Sequence, residues 1–458
     1  MSELGSESRP LRVAIIGSGP SGFYAADALL KAEAAVQVDM FERLPNPYGL
    51  VRAGVAPDHA KIKNVIKIYE RIAAKDGFGY YGNVEFGKDV NLEDLKRHYD
   101  ATIFANGARS DRSLGIPGED LAGSHPATAF VGWYNGHPDY RDLEFDFSVD
   151  TAMIIGQGNV AIDVCRILCK TVDELKTTDI SQHALDALAQ SKIKHVYMVG
   201  RRGPVQAKFT QVEVKEMGRL EDCDAIIDSS VFDFDPSSQA ELEDPGNKSA
   251  PKIVPTLQAI SETGTTGKSR ALHIEFCKSP VELKGDGCVE SIVLEKNELV
   301  GEPFRVQSKG TGQTEEIPCG LVLRSVGYRG EPLPEVPFDD KRGIFPNENG
   351  RIVDAAGASG GLYAVGWIKR GPSGVIGTNK PDSQLTVAQL LDDMPSLTPC
   401  EERDTDALIQ KLGSDGVRVV SYEDWQAIDA AEIAAGEAIE KPREKFTRVA
   451  EMLDVLDS

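Results

Sequence analysis

Four residues near the start of the chain have the types and spacing needed to hold a pyrophosphate. An apolar run at residues 13–16 leads into a turn and then a helical pattern, and the turn contains Gly17, Ser18, Gly19 and Gly22. In such a strand–turn–helix the first glycine permits the turn, the second lets backbone approach the pyrophosphate, and the third allows close packing. The anion would lie at the helix N-terminus, where free N–H groups favour negative charge. Glu42 ends the next apolar run, 20 residues after Gly22, and an acid there predicts a dinucleotide with a free 2′-hydroxyl.

A second turn of the same kind is followed by the opposite charge. The apolar run at residues 152–155 leads to Gly156, Gly158 and Ala161, and alanine in the third place still allows close packing. The next run, HVYMVG, lies further along than usual because a mostly helical segment, residues 170–194, precedes it. It ends in Arg201 and Arg202, which attract a 2′-phosphate by charge and by bidentate hydrogen bonds. The second turn therefore predicts NADP, and the alternative is two exposed loop arginines.

Two nucleotide sites of opposite charge in one chain are typical of a flavoenzyme. The first site would hold FAD, whose adenosine ribose has a free 2′-hydroxyl, and the second would hold NADPH as the hydride donor. A non-catalytic NADPH-sensing protein would use the same second turn. Rapid NADPH turnover with an artificial acceptor would distinguish the enzyme from the sensor.

The composition is that of a large globular protein, which we expect in the cytoplasm. The chain has 458 residues, 41% of them hydrophobic, which is enough for two or three domains. Its net charge of −22 argues against a nucleic-acid partner. The N-terminal MSELGSESRP lacks a signal pattern, and no run is apolar enough to span a membrane. None of the seven cysteines forms a C-x-x-C pair, so we predict neither a metal site nor an iron–sulfur centre.

Two further segments carry a resemblance to a known family. They are LPNPYGLVRAGVAPDHAKIKN at residues 44–64 and GWIKRGPSGVIGTNKPDS at residues 366–383. Together with the two glycine turns and VGRRGP, they resemble the adrenodoxin-reductase-like family of ferredoxin–NADP reductases, with the mycobacterial-type bacterial members nearest. The resemblance runs along nearly the whole chain and is weakest around residues 223–270.

The resemblance implies roles for particular residues. It implies that FAD is held by the first glycine turn and by Glu42, Leu50, Trp367, Gly374, Val375 and Ile376. It implies that NADP is held by Gln157, Gly158, Asn159, Val160, Arg201, Arg202 and Glu213, and also by Arg112. His59 matches a histidine beside the flavin and the nicotinamide, so His59 and Glu213 are the candidate catalytic residues. For His59 the role would be orientation or flavin protonation, and the alternative is a structural hydrogen bond.

The resemblance also implies a fold and a reaction. The fold is α/β, with two Rossmann-like three-layer domains: an NADP domain at residues 109–333 inserted into an FAD domain at residues 1–108 and 334–458. Two C-terminal helices, broken at Pro442, would pack on the FAD domain. We expect a monomer that passes electrons from NADPH through FAD to a ferredoxin-type iron–sulfur protein. The alternative enzyme is a glutamate-synthase-type NADPH reductase subunit, although such subunits usually carry cysteine clusters.

The partner prediction raises a question of charge. Ferredoxins are usually acidic and so is this chain, so attraction must come from a local basic patch. The helical pattern after His59 places three bases on one face, and others are near it in sequence or in the flavin segment. This candidate patch consists of Lys63, Lys67 and Arg71, with Arg52, Lys61, Lys369 and Arg370. The alternative is an ordinary solvated helix face.

Overall fold

The computed structural model describes residues 3–457 and divides into two compact units. The first unit takes in the described chain up to Val55, then His59–Ser110, and then everything from Tyr328 onward. The second unit consists of Ala56–Asp58 and Asp111–Gly327. These divisions lie near the predicted boundaries at residues 108/109 and 333/334, but Ala56–Asp58 was not predicted to belong with the second unit. The assignment of one cofactor to each domain stays a prediction.

Strands and helices alternate in the first part of the chain. They are β1 (Leu11–Ile16), α1 (Pro20–Leu29), β2 (Val36–Phe41), α2 (Leu50–Ala53), α3 (Ala60–Lys63), α4 (Ile66–Ala73), β3 (Phe78–Tyr81), α5 (Leu92–His98) and β4 (Ala101–Phe104). After residue 327 the first unit continues with β15 (Tyr328–Arg329), β16 (Asn347–Glu348), β17 (Arg351–Asp354), β18 (Gly357–Ala364), α13 (Trp367–Arg370), α14 (Asn379–Asp393), α15 (Thr405–Ser414), α16 (Tyr422–Glu437) and α17 (Val449–Asp454).

The intervening chain also alternates at first and then becomes rich in strands. Its elements are β5 (Ser110–Asp111), β6 (Ser124–Pro126), α6 (Ala127–Tyr134), β7 (Thr151–Ile155), α7 (Asn159–Cys169), α8 (Val172–Leu175), α9 (Gln182–Leu188), β8 (His195–Val199), α10 (Gln211–Met217), β9 (Cys223–Ile226), α11 (Pro236–Glu243), α12 (Ala250–Thr263), β10 (Arg270–Glu275), β11 (Lys278–Lys284), β12 (Ser291–Val300), β13 (Gln307–Pro318) and β14 (Leu321–Arg324). Short 3₁₀ turns lie at Pro138–Tyr140, Pro204–Gln206, Ser229–Phe232, Ile376–Thr378, Met394–Ser396 and Val455–Asp457.

The first unit is built on a seven-stranded sheet with strand order β16-β17-β18-β4-β1-β2-β3. Its five strands from β18 to β3 are parallel. Side chains of β1 alternate between two cores: Val13 and Ile15 pack with α1, α14 and α16, whereas Ala14 and Ile16 pack with α5 and α15. The sheet is therefore the middle of three layers, as predicted. Because β1 lies between β2 and β4, the strand order reverses at β1, and a crevice forms at its carboxyl end.

The second unit is built on a six-stranded parallel sheet with strand order β6-β14-β7-β8-β10-β9. One face of β7 packs against helices, where Ile154 lies in the same core as α6 and α7. The other face packs against an antiparallel sheet formed by β11, β12 and β13, where Met153 and Ile155 lie in the same core as Ile292 and Leu294. The order reverses again at β7, between β8 and β14. Each predicted glycine turn thus follows the strand at which its own sheet reverses.

Two helical predictions had different outcomes. The C-terminal segment forms α16 and α17 with Pro442 between them, and Trp425 and Ile428 of α16 lie in the core of the first unit. The pattern after His59 predicted one helix, but a turn at residues 64–65 separates α3 from α4. No residue of α3 is buried, whereas Tyr69 and Ile72 of α4 are, so packing fixes the phase of the second helix alone. None of the helices within residues 3–457 is long and apolar enough to cross a membrane.

Candidate nucleotide-binding sites

The first glycine turn has a separate steric reason for each of its glycines. Gly17 has φ +108°, and a Cβ on it would lie 2.7 Å from the Ala105 carbonyl oxygen. A Cβ on Gly22 would lie 2.3 Å from the carbonyl oxygen of Gly17, so helix α1 packs directly on the turn. A Cβ on Gly19 would meet nothing within 4 Å. The space over Gly19 is therefore open, as a turn that receives a pyrophosphate requires.

Glu42 and Ser18 are joined across this turn. The Glu42 carboxylate accepts hydrogen bonds from the backbone N–H of Ser18 at 3.0 Å and from its hydroxyl at 2.7 Å. Its second oxygen accepts from the N–H of Leu44 at 3.2 Å. These bonds hold the carboxylate at the end of β2 beside the turn, which is where an acid that binds ribose hydroxyls belongs.

Leu50 begins a short helix beside the same turn. The N–H of Tyr48 donates to the carbonyl oxygen of Ser18 at 3.0 Å. Gly49 has φ +50°, and a Cβ on it would lie 3.1 Å from the Gly19 Cα. Leu50 follows and is 38% exposed. These contacts place the start of α2, which Leu50 begins, next to the glycine turn.

The segment from Gly366 to Ile376 lies at the start of α1 in the same unit. Gly366 has φ +72°, and a Cβ on it would lie 2.5 Å from the Ser21 hydroxyl oxygen. Trp367 is half-buried, packs on Tyr328 with ring centroids 5.0 Å apart, and donates from Nε1 to the Ser373 carbonyl oxygen at 3.2 Å.

The predicted flavin residues that follow form a tight turn. Gly374 has φ +83°, and the N–H of Val375 donates to the Thr378 hydroxyl at 3.1 Å. Val375 is 61% exposed, and Ile376 packs on the core that contains α1. The side chain of Val375 therefore remains accessible, whereas its backbone N–H and carbonyl oxygen are both bonded to Thr378.

The second glycine turn repeats the pattern of the first. Gly156 has φ +136°, and a Cβ on it would lie 2.1 Å from the Ser325 carbonyl oxygen. A Cβ on Gly158 would meet nothing within 4 Å, and Ala161 is fully buried. The turn between β7 and α7 is thus rigid on one side and open on the other.

The other turn residues are fixed by neighbours in the same unit. The Gln157 amide donates from Nε2 to the Glu275 carbonyl oxygen at 2.8 Å. Asn159 accepts at Oδ1 from the N–H of Thr210 at 2.9 Å. Val160 packs against the helix-side core. Asn159 therefore connects the start of α7 to the residue that caps α10.

Arg201 and Arg202 follow β8 on a backbone that is held in place. The carbonyl oxygen of Arg201 accepts from Nδ2 of the buried Asn297 at 3.0 Å, and that of Arg202 accepts from the N–H of Cys277 at 3.1 Å. Arg201 is exposed and Arg202 is half-buried. Burial and the positive charge of Arg201 lower the pKa of Arg202, while Glu241 acts to raise it. Two guanidinium groups that repel each other favour an anion of high charge between them.

Three comparisons with known proteins are consistent with this geometry. The pyridine nucleotide-disulphide oxidoreductase family matches residues 11–218. The NADPH-ferredoxin reductase FprA of Mycobacterium leprae is 45% identical over 452 residues, which cover 97% of this chain and 98% of that protein. Human mitochondrial NADPH:adrenodoxin oxidoreductase is 43% identical over 461 residues, which cover 98% of this chain and 93% of that protein. The chain belongs to the NADPH-ferredoxin reductase family.

A solved structure extends the match to the fold. Mycobacterium tuberculosis FprA in complex with NADPH superposes with a TM-score of 0.92 at 44% identity, covering 98% of this chain and 100% of that one. The family resemblance found in the motifs and the predicted α/β fold are therefore confirmed. The roles of individual residues in this family member stay predictions.

Glu213 lies in a charged cluster of the second unit that the sequence analysis missed. Arg166 on α7 is fully buried among four carboxylates of the same unit. One of its nitrogens is 2.7 Å from Asp58 and 3.2 Å from Asp163, and the other is 3.7 Å from Glu213 and also pairs with Glu216. One sequence feature could have indicated this cluster: an arginine inside the apolar pattern NVAIDVCRILC, three residues after an aspartate.

Arg112 and His59 are the remaining candidate residues. Arg112 is exposed, and its backbone N–H donates to the Gly327 carbonyl oxygen at 3.0 Å. Within residues 3–457 its side chain forms no hydrogen bond or ion pair. His59 is half-buried and directly precedes α3. Its proposed role in this family member therefore rests on the resemblance.

The predicted docking patch is wrong in part. Arg52 is buried and bound to Glu432. Lys369 and Arg370 both pair with Asp382, at 3.1 and 3.5 Å, and their side chains are largely covered. These three bases stabilise the first unit and do not form an exposed surface. Lys67 and Arg71 remain exposed on α4.

Proposed function

We propose that this chain is a flavoprotein oxidoreductase that passes electrons from NADPH through FAD to a ferredoxin-type iron–sulfur protein. The observation that carries the proposal is nearly full-length similarity to an NADPH-ferredoxin reductase. Two glycine turns with opposite charges at their second strands support it from the structure.

The first unit fits FAD. Gly19 leaves room for a pyrophosphate, and Glu42 offers a carboxylate for the ribose hydroxyls. Trp367 and the accessible turn at Val375 come from the chain beside the start of α1. We assign the isoalloxazine ring to this segment, because a large aromatic side chain can flank a flavin there.

The second unit fits NADPH. Gly158 leaves room for the pyrophosphate, and the helix that starts there offers free N–H groups to an anion. Arg201 and Arg202 would bind the 2′-phosphate, which NADH lacks. We assign Gln157, Asn159 and Val160 to the turn around the pyrophosphate and Arg112 to a further contact with the nucleotide.

When bound, NADPH supplies a hydride to FAD, and the flavin chemistry allows release of electrons one at a time. The chain supplies placement. We assign to His59 the orientation of the reacting rings or a proton for the flavin, and to Glu213 a contact with the nicotinamide. Hydride transfer itself needs no general acid. Because His59 would orient the rings or supply a proton and would not hold FAD, His59→Ala should slow flavin reduction while FAD stays bound.

A basic cleft in the second unit offers a docking surface for an acidic carrier. It lies between α10 and α12 and has a volume of about 550 Å³. Lys215, Arg219 and Lys252 line it and are exposed. Among the described residues, no carboxylate lies within ion-pair distance of these three bases. In a chain with a net charge of −22, such a cleft supplies the local attraction that an acidic ferredoxin needs.

The deciding experiment is anaerobic stopped-flow absorbance. NADPH should bleach the bound FAD rapidly, and the reduced protein should then pass electrons to one member of a ferredoxin panel from the source organism. Binding of NADPH without bleaching would favour the NADPH-sensing alternative. Bleaching without transfer to any ferredoxin would overturn the assigned acceptor but not the NADPH reductase activity.

The glutamate-synthase-type alternative is less well supported. Such a subunit usually carries its own cysteine clusters, and no C-x-x-C pair occurs in the sequence. Three of the seven cysteines, Cys165, Cys169 and Cys223, are fully buried in the helix-side core of the second unit.

A further inference from the structure

Arg166 lies in direct contact with four carboxylates of the second unit, those of Asp58, Asp163, Glu213 and Glu216, and Asp58 also pairs with Lys170. Its side chain is fully buried. Burial acts to lower the pKa of Arg166, but the four carboxylates outweigh it and raise that pKa above its ordinary value. The guanidinium is therefore charged, and at least part of the surrounding negative charge depends on it.

Such a cluster is a poor way to gain stability. Removing charges from water is costly, and a well-packed apolar group of similar volume often stabilises a protein as well as a buried ion pair does. An arginine has a different advantage, because its planar fork holds carboxylates in fixed directions. The guanidinium donates hydrogen bonds to Asp58 and Glu216, so it fixes the directions of these two acids and attracts the Glu213 carboxylate by charge at 3.7 Å.

The two helices that Arg166 connects are also joined at their other ends. The side chain of Asn159, at the start of α7, accepts from the backbone N–H of Thr210, which caps α10. Seven residues along α7, Arg166 donates a hydrogen bond to Glu216 on α10 and lies 3.7 Å from the Glu213 carboxylate, within ion-pair distance. One contact thus lies at the nucleotide turn and the other at the predicted nicotinamide-contacting acid, so the position of Glu213 is fixed relative to the glycine turn.

We propose that Arg166 is a positioning residue that holds the Glu213 carboxylate toward the nicotinamide ring. This inference rests on the proposed function, because it requires NADPH to bind at the second glycine turn. Hydride transfer moves two electrons and one proton from the dihydronicotinamide to the flavin, so that the nicotinamide is oxidised and gains a positive charge. A carboxylate held beside the ring favours that charge.

The test measures binding and needs no turnover. Calorimetry on the oxidised FAD-containing protein compares NADP⁺ with tetrahydro-NADP, whose uncharged ring cannot donate a hydride. In Arg166→Met we expect the affinity for NADP⁺ to fall by about tenfold, with tetrahydro-NADP and 2′,5′-ADP changed by less than about twofold. If Arg166 only neutralised the acids and did not fix their positions, its loss would leave them with more uncompensated negative charge. NADP⁺ would then bind more tightly, which would overturn the proposal.

Three further variants keep the test decisive. Glu213→Gln should weaken NADP⁺ selectively, and the double variant with Arg166→Met should show no additional loss, since both changes remove one interaction. Arg166→Lys should recover most of the NADP⁺ affinity. Selective weakening by Glu213→Gln with no effect of a folded Arg166→Met would make Arg166 merely structural, and no effect of Glu213→Gln would also overturn the proposal.

Arg270 provides the matched control. It is another partly covered arginine of the second unit, and it donates to the carbonyl oxygens of Cys169 at 3.1 Å and Lys170 at 2.9 Å, at the end of α7. Arg270→Met should lower the melting temperature and leave the ratio of NADP⁺ to tetrahydro-NADP affinity unchanged. If NADPH fails to bleach FAD in the wild-type protein, the proposed function fails instead, and that result is independent of these variants.

Discussion

Arg52 and Glu432 form a buried, two-pronged ion pair across 380 residues of sequence, with nitrogen–oxygen distances of 2.8 and 2.5 Å. The Glu432 side chain is fully buried and also accepts from the N–H of Phe446 at 2.9 Å. Arg52 lies two residues after Leu50 on α2 and stacks over the Trp425 ring at 5.1 Å. The C-terminal helix α16 thus holds the loop that borders the first glycine turn.

Glu432→Ala should therefore weaken the binding of FAD and lower the stability of the protein. Removing one partner of a buried pair leaves an uncompensated charge and costs about 3–5 kcal/mol. We expect a lower urea midpoint and FAD that is lost during gel filtration. Lys31→Ala breaks an exposed pair with Asp27 in the same unit and should change stability by less than about 0.5 kcal/mol. Retention of FAD by a destabilised Glu432→Ala would show that the pair does not support the cofactor loop.

The two kinds of glycine in the second turn should behave differently. Gly158→Ala adds a Cβ into open space, so the melting temperature should hardly change while NADPH binding weakens by steric exclusion. Gly156→Ala combines φ +136° with a Cβ 2.1 Å from a carbonyl oxygen, and should cost about 2 kcal/mol or more. Thermal unfolding and NADPH titration of both variants test this. Unchanged NADPH affinity in Gly158→Ala would show that the pyrophosphate does not bind at this turn.

Arg201→Ala should weaken the binding of NADPH more than that of NADH. A hydrogen bond to a charged group is worth about 1.5–3 kcal/mol, or about 10–150-fold in affinity. The backbone should survive, because Asn297 and Cys277 hold it through main-chain groups. Flavin reduction rates measured against NADPH and NADH concentrations check this. Equal losses for both nucleotides would mean that Arg201 contacts something they share.

Asp111 should make stability depend on pH. Burial raises its pKa to about 6, even though Thr128 donates a hydrogen bond to it. The folded state therefore holds this proton more tightly, and the stabilisation present below about pH 4 is lost as pH rises through 6. Asp111→Asn should raise the free energy of unfolding by about 1–2 kcal/mol at pH 7 and by little at pH 4. Urea unfolding at both values measures the difference.

Asp146 is the control for that pH effect. It is an exposed carboxylate whose pKa is lowered by hydrogen bonds from Ser148. Asp146→Asn should therefore give no gain in stability at pH 7. An equal gain from Asp111→Asn at both pH values would mean that ionisation is not the cause.

Charge reversal should identify the docking surface. Lys252→Glu combined with Arg219→Glu should raise the KM for ferredoxin and leave NADPH reduction of FAD intact. Rates with ferredoxin should also fall with salt, since the Debye length shortens from about 10 Å at 0.1 M to about 3 Å at 1 M. Lys67→Glu with Arg71→Glu provides a matched pair on α4. A larger effect from that pair would return the docking surface to the helix after His59.

Local sequence carried most of the information about the two turns. Glycine, strand and charge signals lie within about 50 residues of each other, and the structure gives Gly17, Gly22 and Gly156 the steric roles that the motif predicts. Local sequence does not show whether a charged side chain is exposed or buried. Arg52 carries the same sequence signal as an exposed base, but its partner Glu432 comes from a distant helix.

Features that depend on two distant segments could not be predicted. The basic cleft combines α10 with α12, and neither helix alone has a basic face long enough to stand out. Arg166 has acids from three segments around it, of which only Asp163 is local. Ala56–Asp58 joins the second unit through such contacts, so the boundary in sequence is not the boundary in space.

The parallel pairing of β4 with β18 determines when the first unit can be completed during synthesis. All but three residues of the second unit form one continuous segment, so that unit can fold as soon as it has emerged. The first unit needs β18 beside β4 and Glu432 beside Arg52, and both partners are made after the second unit is complete. Until then, the ribosome-bound chain exposes an unpaired edge of β4 and an incomplete cofactor cradle. We therefore expect FAD to bind only after β18 and α16 have been made, and shortened chains that lack them to be readily cleaved by proteases.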